Sequence, residues 1–293
     1  MSIMRVNNMK VESVKSFAKI NISLDVKEKR TDGYHELDSI MTPIELHDSL
    51  VISSLPSNIH DNFVTVDDFS NGLIHYNLAS SAVELLAKKY GFKDHFRIYI
   101  HKVIPMQAGL GGGSSNAAFT MKAVNNRLKL NATDEELIEL ATPLGADIPF
   151  FIKCTPSRCQ GIGEKMQPIE IKNNYYAIIV KPTMGCSTKE VFALADAKPY
   201  KHVNIDKVVE ALASGDDDML AENMGNSLEE AAISLVPEIQ EIKDYLKSQG
   251  LKLVLMSGSG SAVFGLCQDK KLLKNIALEI EDKWAVEVTK LLK

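Results

Sequence analysis

The chain has 293 residues, of which 45% are hydrophobic and 24% charged, and its formal net charge is −5. This length suits one large domain or two of ordinary size with an ample core. The acidic balance argues against a nucleic-acid-binding protein, and no run is apolar enough for a signal peptide or a membrane span. The four cysteines lack the Cys-x-x-Cys spacing of a zinc or redox motif. We therefore expect a cytoplasmic protein with no nucleic-acid or membrane partner.

The first clear pattern is an alternation of apolar and polar residues over 17–26. The apolar residues would share one face of a strand, and Lys19 and Asn21 would lie on the other. A strand with a wholly polar second face is usually solvated on that side. The pattern by itself therefore predicts that Lys19 and Asn21 are exposed.

A charged turn separates this strand from further extended segments. The dipeptide Asp32-Gly33 is typical of a hairpin turn. Tyr34 and His35 follow it directly, and two interpretations stay open. They are an exposed aromatic ring and a surface imidazole, or a stacking and hydrogen-bonding pair for a ligand base. Beyond them, the polar composition of 57–72 predicts a loop with room for one short strand.

A glycine-rich segment, 105–118, lies between a strand predicted over 96–101 and a helix that runs to residue 128. Backbone amides at a helix N-terminus are unpaired and carry the positive end of the helix dipole, so they favour an anion. Four glycines within 109–113 let such amides approach phosphate oxygens closely. Ser114 and Ser115 add hydroxyls suited to phosphate or to its magnesium ion. The segment predicts a phosphate-binding loop rather than a plain flexible turn.

Other nucleotide-binding loops fit this segment less well. A Walker A loop ends in Gly-Lys-Ser/Thr, whereas Gly113-Ser114-Ser115 contains no lysine. A dinucleotide fingerprint would have glycine at the position of Ser114. The glycine loop of protein kinases joins two strands, whereas this segment begins a helix.

Helices are expected on both sides of this segment. Asn77 should cap a helix that Gly91 ends, and Thr133 begins a capping box for another. Asp147 then stands alone in an apolar run. Because unpaired burial of a carboxylate is costly, Asp147 must either cap a helix or meet a cation, and the residues alone leave both open.

The second half of the chain alternates strands and helices without a repeat or a long linker. A turn is expected at 161–164, and a second capping box at Ser187 begins a helix. Two or three more helices are expected before Gly250, followed by strands on both sides of 257–260. The most natural division lies near 154–160, which gives domains of 1–154 and 155–293.

Six segments, in their order along the chain, resemble the motifs of the GHMP small-molecule kinases. They are 18–21, 32–37, 105–118, 144–151, 161–164 and 256–260. The forms Asp-Gly-Tyr-His and Gly-Ala-Asp-Ile-Pro-Phe-Phe are more similar to the branch of this family that acts on cytidine diphosphate-linked methylerythritol than to galactokinase or mevalonate kinase.

The resemblance implies an α+β fold with two domains. The N-terminal ATP-binding domain, 1–154, would be similar to domain 2 of ribosomal protein S5, and the C-terminal domain, 155–293, would be ferredoxin-like. The implied reaction transfers the γ-phosphoryl group of ATP to the 2-hydroxyl of the methylerythritol unit, in non-mevalonate isoprenoid synthesis. The implied cofactors are ATP and Mg²⁺, with the ion held largely between phosphate oxygens and Ser114 or Ser115 as its only candidate protein ligands. The expected assembly is a monomer or a weak homodimer.

The resemblance also implies roles for individual residues. Asp147 would accept or orient the hydroxyl proton, and Lys19 would pair with it and stabilise the transferring phosphoryl group. The residues expected to bind ATP are Asn77, Lys102, Pro105, Met106, Gln107, Ala108, Gly109, Leu110, Gly111, Gly112, Gly113, Ser114 and Ser115. The residues expected to bind the acceptor are Asn21, Tyr34, His35, Phe192, Gly258 and Ser259. Among these, Tyr34, His35 and Phe192 would contact the cytosine ring.

Two other functions compete with this one. A GHMP kinase for another small alcohol, such as homoserine or a sugar, is disfavoured by Tyr34 and His35, which suit a pyrimidine. A nucleotide-binding regulator without catalytic activity is disfavoured by the presence of both Lys19 and Asp147, because a pure binder needs only the glycine loop.

Overall fold

The computed structural model describes residues 2–6, 9–59, 61–67 and 77–293, with side chains from residue 11 onward. Parts of the predicted 57–72 loop, at residue 60 and at 68–72, lie outside the described residues. The strands are β1 (Ser2–Val6), β2 (Met9–Lys29), β3 (His35–Ser54), β4 (Phe63–Asp67), β5 (Phe96–His101), β6 (Ser157–Gly161), β7 (Lys165–Pro168), β8 (Tyr176–Lys181), β9 (Leu253–Met256), β10 (Val263–Cys267) and β11 (Ala285–Lys290). The helices are α1 (Leu78–Tyr90), α2 (Gly112–Leu128), α3 (Asp134–Ala141), α4 (Ile148–Lys153), α5 (Thr188–Ala195), α6 (Ile205–Ser214), α7 (Asp217–Asn223), α8 (Glu229–Leu235), α9 (Glu238–Ser248) and α10 (Lys270–Ile280).

The chain forms two compact units that interleave in sequence. Unit 1 contains 1–18, 47–104 and 111–154, and unit 2 contains 19–46, 105–110 and 155–293. β2 and β3 therefore contribute residues to both units. The domains expected from the sequence, 1–154 and 155–293, stay a prediction. The units differ from them by grouping 19–46 and 105–110 with the C-terminal part of the chain.

Unit 1 combines a sheet with helices α1 to α4. Its strand order is β1-β2-β3-β5-β4, with β5 antiparallel to β3 and parallel to β4. Apolar residues at every second position of β5 are fully buried, which confirms the predicted strand. α2 packs against both α1 and α4, and its apolar face, which includes Met121 and Val124, is buried.

Unit 2 contains a four-stranded antiparallel sheet in the order β11-β8-β10-β9. Its core unites buried residues of β8, β9 and β10 with residues of α5, α8, α9 and α10. β6 and β7 form a hairpin around the predicted turn, and β6 also pairs with the first part of β3. Between α5 and Gly250 the chain forms four helices, not two or three. The predicted number of helices was too low because α7 and α8 have only seven residues each. A helical period does not show in so short a segment.

The predicted helix ends are confirmed. The Asn77 side chain accepts a hydrogen bond from the Ala79 amide, and α1 ends at Gly91, which is left-handed. Thr133 forms both bonds of a capping box, and Ser187 caps α5 by accepting the Glu190 amide. Among the described residues the reciprocal bond from the Ser187 amide to the Glu190 side chain is not formed, so the capping box predicted at Ser187 is wrong although the helix start is right. None of the helices in the described part of the chain is long and apolar enough to cross a membrane.

The predicted solvent exposure of the polar face of β2 is wrong. Lys19 is 3% exposed, Asn21 5%, and Ser23 and Asp25 are fully buried, while the alternate residues of β2 are also buried. The polar face is covered by groups from other parts of the chain that hydrogen-bond its side chains: Ser39 accepts from the Asn21 side-chain amide, and Ser227 donates to Asp25. The alternation in the sequence therefore separates an apolar buried face from a hydrogen-bonded buried face.

Candidate active site

The N-terminus of α2 in unit 1 is open to an anion. Its N-cap, Gly111, is left-handed (φ 70°) and supplies no side-chain cap, so the first amides of the helix keep their donor capacity. A Cβ added to Gly112 would lie 3.0 Å from Lys102 Nζ, so the lysine ammonium sits beside the first turn. A Cβ at Gly113 would meet only Leu78, at 3.7 Å. Unpaired amides and a neighbouring ammonium together favour a phosphate group.

Lys102 is held in place by a carboxylate that the sequence did not reveal. Asp48 is fully buried, pairs with Lys102 Nζ at 2.6 Å, and accepts the amides of Val103 and Ile104 at 2.8 Å each. Because one carboxylate fixes both the side chain and the backbone that leads into the glycine loop, Asp48 orients this edge of the site. It lies 54 positions from Lys102, so no local spacing could have indicated it.

The two candidate serines differ in their surroundings. Ser115 is fully buried, donates its hydroxyl to the Phe17 carbonyl at 2.6 Å, and contacts Ser16 Oγ at 2.7 Å. Ser114 is partly exposed, and among the described residues its hydroxyl has no hydrogen-bond partner. A Cβ on Gly145 would lie 3.7 Å from Ser114 Oγ, so the segment that leads to Asp147 runs beside the start of α2.

Asp147 occupies the N-cap position of the short helix α4, yet its side chain makes no capping hydrogen bond. The helix-capping alternative is therefore wrong. Pro149, in the first turn of α4, has no amide to be capped, which reduces the need for a cap. Asp147 is partly exposed and lies next to fully buried apolar residues of α4.

In unit 2, Lys19 lies in a buried polar network. Its ammonium donates to Asn21 Oδ1, and the Asn21 side-chain amide donates to Ser39 Oγ at 2.8 Å. The Asn21 backbone amide donates to Ser257 Oγ at 3.2 Å. Each member has its orientation fixed by the next, so the position of Lys19 Nζ is fixed within a buried site. The pairing of Lys19 with Asp147 joins residues of different units and stays a prediction.

The first half of the glycine loop is anchored through its carbonyls. Gln107 O accepts the amides of Cys186 and Ser261, and Ala108 O accepts the amide of Ala262. Two further carbonyls complete the set: Gly109 O accepts from Ser257 Oγ at 3.0 Å, and Leu110 O accepts from the Lys19 amide at 3.1 Å. All four consecutive carbonyls, 107–110, are thus taken by protein donors. Met106 next to them is 63% exposed, and Pro105 is partly exposed.

Gly258 and Ser259, expected to bind the acceptor, belong to the segment that anchors the loop. A Cβ on Gly258 (φ 56°) would lie 3.2 Å from Lys19 Nζ and from Asn21 Oδ1, so only glycine lets this backbone approach them without displacing a neighbour. Ser259 Oγ contacts Thr188 Oγ at 2.8 Å.

A second polar centre of unit 2 surrounds His35, which is 8% exposed. His35 Nε2 lies 2.7 Å from Asp196 Oδ1, and its ring stacks on Phe192 with a centroid distance of 4.5 Å. Lys29 Nζ and the Tyr200 hydroxyl also donate to Asp196, at 2.6 and 2.5 Å. Burial opposes ionisation of Asp196, but hydrogen bonds from Lys29, Tyr200 and His35 outweigh it and hold its pKa below the ordinary range.

These contacts also show which residues the sequence missed. Asp196, Lys29 and Tyr200 were not predicted, and Asp196 lies 161 positions from His35. Tyr34, next to His35, is 53% exposed. Tyr34 is thus an exposed aromatic ring as the first interpretation has it, but His35 is not a surface imidazole. Binding of a ligand base by the pair stays a prediction.

Two protein-family models match this chain, each over a different segment. The model of the GHMP kinases N-terminal domain matches residues 77–154, and the model of the GHMP kinases C-terminal domain matches residues 208–286. The first match contains the glycine loop, Lys102 and Asp147.

Relatives match over most of the chain. The 4-diphosphocytidyl-2-C-methyl-D-erythritol kinase of Bacillus pumilus is 39% identical over 89% of this chain and 90% of its own length. The enzyme of that name from Bacillus subtilis is 38% identical over the same shares. A crystal structure of 4-(cytidine 5′-diphospho)-2C-methyl-D-erythritol kinase, 31% identical, covers 96% of this chain and 100% of its own with a TM-score of 0.80. A homoserine kinase from Cytophaga hutchinsonii (15% identity, TM-score 0.75) shares the fold alone.

Proposed function

The chain belongs to the GHMP kinase family, and from that membership we propose that it phosphorylates the 2-hydroxyl of 4-diphosphocytidyl-2-C-methyl-D-erythritol. The chain is a small-molecule kinase with the two-domain α+β fold of this family, and the family uses ATP. The observation that carries the proposed acceptor is the 39% identity with a kinase of that name over nine tenths of both chains.

The phosphates of ATP are proposed to bind at the uncapped N-terminus of α2. The open amides, the glycines that allow close approach, and the Lys102 ammonium support this assignment. Asn77 is proposed to contact the adenosine while it caps α1. The anchored carbonyls of 107–110 support a loop that keeps its shape before the nucleotide binds.

Phosphoryl transfer chiefly needs in-line positioning and charge neutralisation. Lys19 is proposed to supply a buried positive charge for the transferring group, supported by the network that fixes its ammonium. Asp147 is proposed to orient the acceptor hydroxyl and take its proton, supported by a side chain that does not cap α4. Asn21, with Gly258 and Ser259, is proposed to face the erythritol and its phosphates.

Ser114, rather than Ser115, is proposed as the residue that would hold Mg²⁺, and the ion would neutralise charge on the phosphates of ATP. The Ser115 hydroxyl already bonds Phe17 and Ser16, whereas Ser114 is partly exposed at the same helix start. Within the described residues no group of three or more His, Cys, Asp or Glu side chains is placed to hold a metal. A single hydroxyl ligand beside phosphate oxygens suits Mg²⁺, which usually keeps several waters.

The two serines should therefore respond differently to alanine. We expect Ser114→Ala to raise the Mg²⁺ concentration needed for half-maximal turnover while the melting temperature stays near that of the unchanged protein. Ser115→Ala should instead lower the free energy of unfolding by about 1 kcal/mol, because it leaves buried polar groups unpaired. Magnesium titrations of turnover and thermal unfolding of both variants measure the contrast. A higher Mg²⁺ requirement in Ser115→Ala alone would reverse the assignment.

The proposed reaction is tested by acceptor-dependent release of ADP. The protein should turn over ATP with 4-diphosphocytidyl-2-C-methyl-D-erythritol and add one phosphate to the product, and turnover with homoserine should be negligible. Turnover with homoserine but not with the cytidylate would favour a kinase for another alcohol. Nucleotide binding without acceptor-dependent ADP release would favour a non-catalytic regulator.

His35 and its stacked partner Phe192 are proposed to bind the cytosine ring together with Tyr34. We expect His35→Ala to raise the KM for the cytidylated acceptor by about 10- to 100-fold, because a hydrogen bond and a stacking surface are lost in a mostly buried site. The KM for ATP should change little. Steady-state kinetics with each substrate varied in turn measures both values. A change confined to the ATP constant would place His35 outside the acceptor site.

A further inference from the structure

We propose that Asp196 is a positioning residue that sets the tautomer of His35 and thereby makes this pocket select cytosine over uracil. This inference rests on the proposed function, because it assigns base discrimination within the proposed acceptor site. It concerns a carboxylate that would not touch the substrate but would act through the ring that does.

Asp196 dictates which nitrogen of His35 carries the proton. An ionised carboxylate only accepts hydrogen bonds, and Lys29 and Tyr200 keep Asp196 ionised by donating to it. Since His35 Nε2 lies 2.7 Å from Asp196 Oδ1, Nε2 must be the protonated nitrogen. In the neutral form of the ring, a proton on Nε2 leaves Nδ1 as a bare acceptor.

The position of the ring is fixed, and Nδ1 is accessible. Phe192 stacks on the His35 ring at 4.5 Å, and the Tyr200 ring lies edge-on at 6.3 Å, so rotation would break both contacts. Within the described residues, Nδ1 makes no hydrogen bond and does not belong to the buried unpaired atoms. It is therefore a fixed acceptor within reach of a ligand.

An accessible acceptor distinguishes the two pyrimidines. Cytosine carries an exocyclic amine, a donor, where uracil carries a carbonyl oxygen, an acceptor. A bare Nδ1 accepts from the amine but opposes the carbonyl, and a mismatch of two acceptors in a mostly buried site costs about 10- to 100-fold in affinity. Asparagine at 196 would remove the charge that holds the proton on Nε2 and can donate to that nitrogen instead, which moves the proton to Nδ1.

The test compares the affinities of cytidine 5′-diphosphate and uridine 5′-diphosphate for the unchanged protein and for Asp196→Asn. The unchanged protein should prefer the cytidine compound by about 10- to 100-fold, and Asp196→Asn should reduce this preference towards equal affinity. Asp206→Asn is the control, because the Asp206 side chain is 82% exposed and its partner within the part of the chain that the structure describes is Arg158, not His35.

Nitrogen NMR of His35 supplies a readout that does not depend on any variant folding. In the unchanged protein, Nε2 should be protonated and Nδ1 bare. A protonated Nδ1, alone or in an imidazolium, would overturn the inference even if cytidine diphosphate were preferred and the kinase activity were present. An undiminished preference in a folded Asp196→Asn would do the same. A protein that bound neither diphosphate and phosphorylated no cytidylated acceptor would instead overturn the proposed function together with this inference.

Discussion

Asp147→Asn is expected to lower kcat by about 10²- to 10⁴-fold while the dissociation constant for ATP stays nearly unchanged. The amide keeps the size of the carboxylate but cannot take the proton of the acceptor hydroxyl. The ATP phosphates are proposed to bind at the start of α2, so their affinity should not depend on the proton acceptor. Single-turnover kinetics and direct nucleotide binding measure the two quantities separately.

The local structure makes this experiment easy to interpret. Because the Asp147 side chain does not cap α4, a lost helix cap cannot account for a lower rate. Asp134→Asn, in the exposed first turn of α3, is the matched control and should retain full activity. Near-normal turnover in Asp147→Asn would remove this carboxylate from the chemistry.

Gly109→Ala should damage both stability and catalysis. Gly109 is left-handed (φ 73°), and an added Cβ would overlap the Ser257 carbonyl oxygen and lie 2.9 Å from its carbon. Backbone strain and overpacking together should lower the free energy of unfolding by about 3 kcal/mol or more. The displaced loop should also lower kcat/KM for ATP by about 100-fold, because small misplacements are costly in phosphoryl transfer. Denaturant unfolding and steady-state kinetics measure the two effects.

Gly91 provides a closely matched comparison. It ends α1 with the same φ of 73°, but an added Cβ would meet nothing within 4 Å. Gly91→Ala therefore isolates the backbone cost, expected to be about 1 kcal/mol, and activity should persist. Equal destabilisation of Gly109→Ala and Gly91→Ala would show that the backbone at Ser257 moves aside without an energetic cost. The loop would then be less tightly anchored than the hydrogen bonds indicate.

Local sequence signals predicted the secondary structure around the site well. The period of β5, the glycines before α2 and the caps at Asn77 and Thr133 each act within a few residues, where backbone conformation is decided. The number of helices before Gly250 was predicted too low because these signals need several turns of helix. A seven-residue helix completes too few turns to display a period.

Local sequence signals could not predict contacts between residues that are distant in sequence. The predicted solvent exposure of the polar face of β2 was wrong because backbone that approaches the Lys19 and Asn21 side chains comes from a distant segment, at Gly258. Asp48 and Asp196 were missed for the same reason, since each is defined by what it contacts and not by its neighbours in sequence. Resemblance to a known family named Lys19 and Asp147, whereas periodicity alone made one an exposed lysine and left the other open.

The capture of four successive carbonyls at 107–110 has a consequence for inhibitor design. A compound directed at this loop would find few oxygens left to satisfy its own N–H and O–H groups. Compounds rich in hydrogen-bond acceptors, such as carboxylates, sulfonamides or tetrazoles, would suit the open backbone amides at the start of α2 better. Because the loop is already anchored, such compounds would lose little affinity to ordering it, and rigid docking becomes a reasonable starting point.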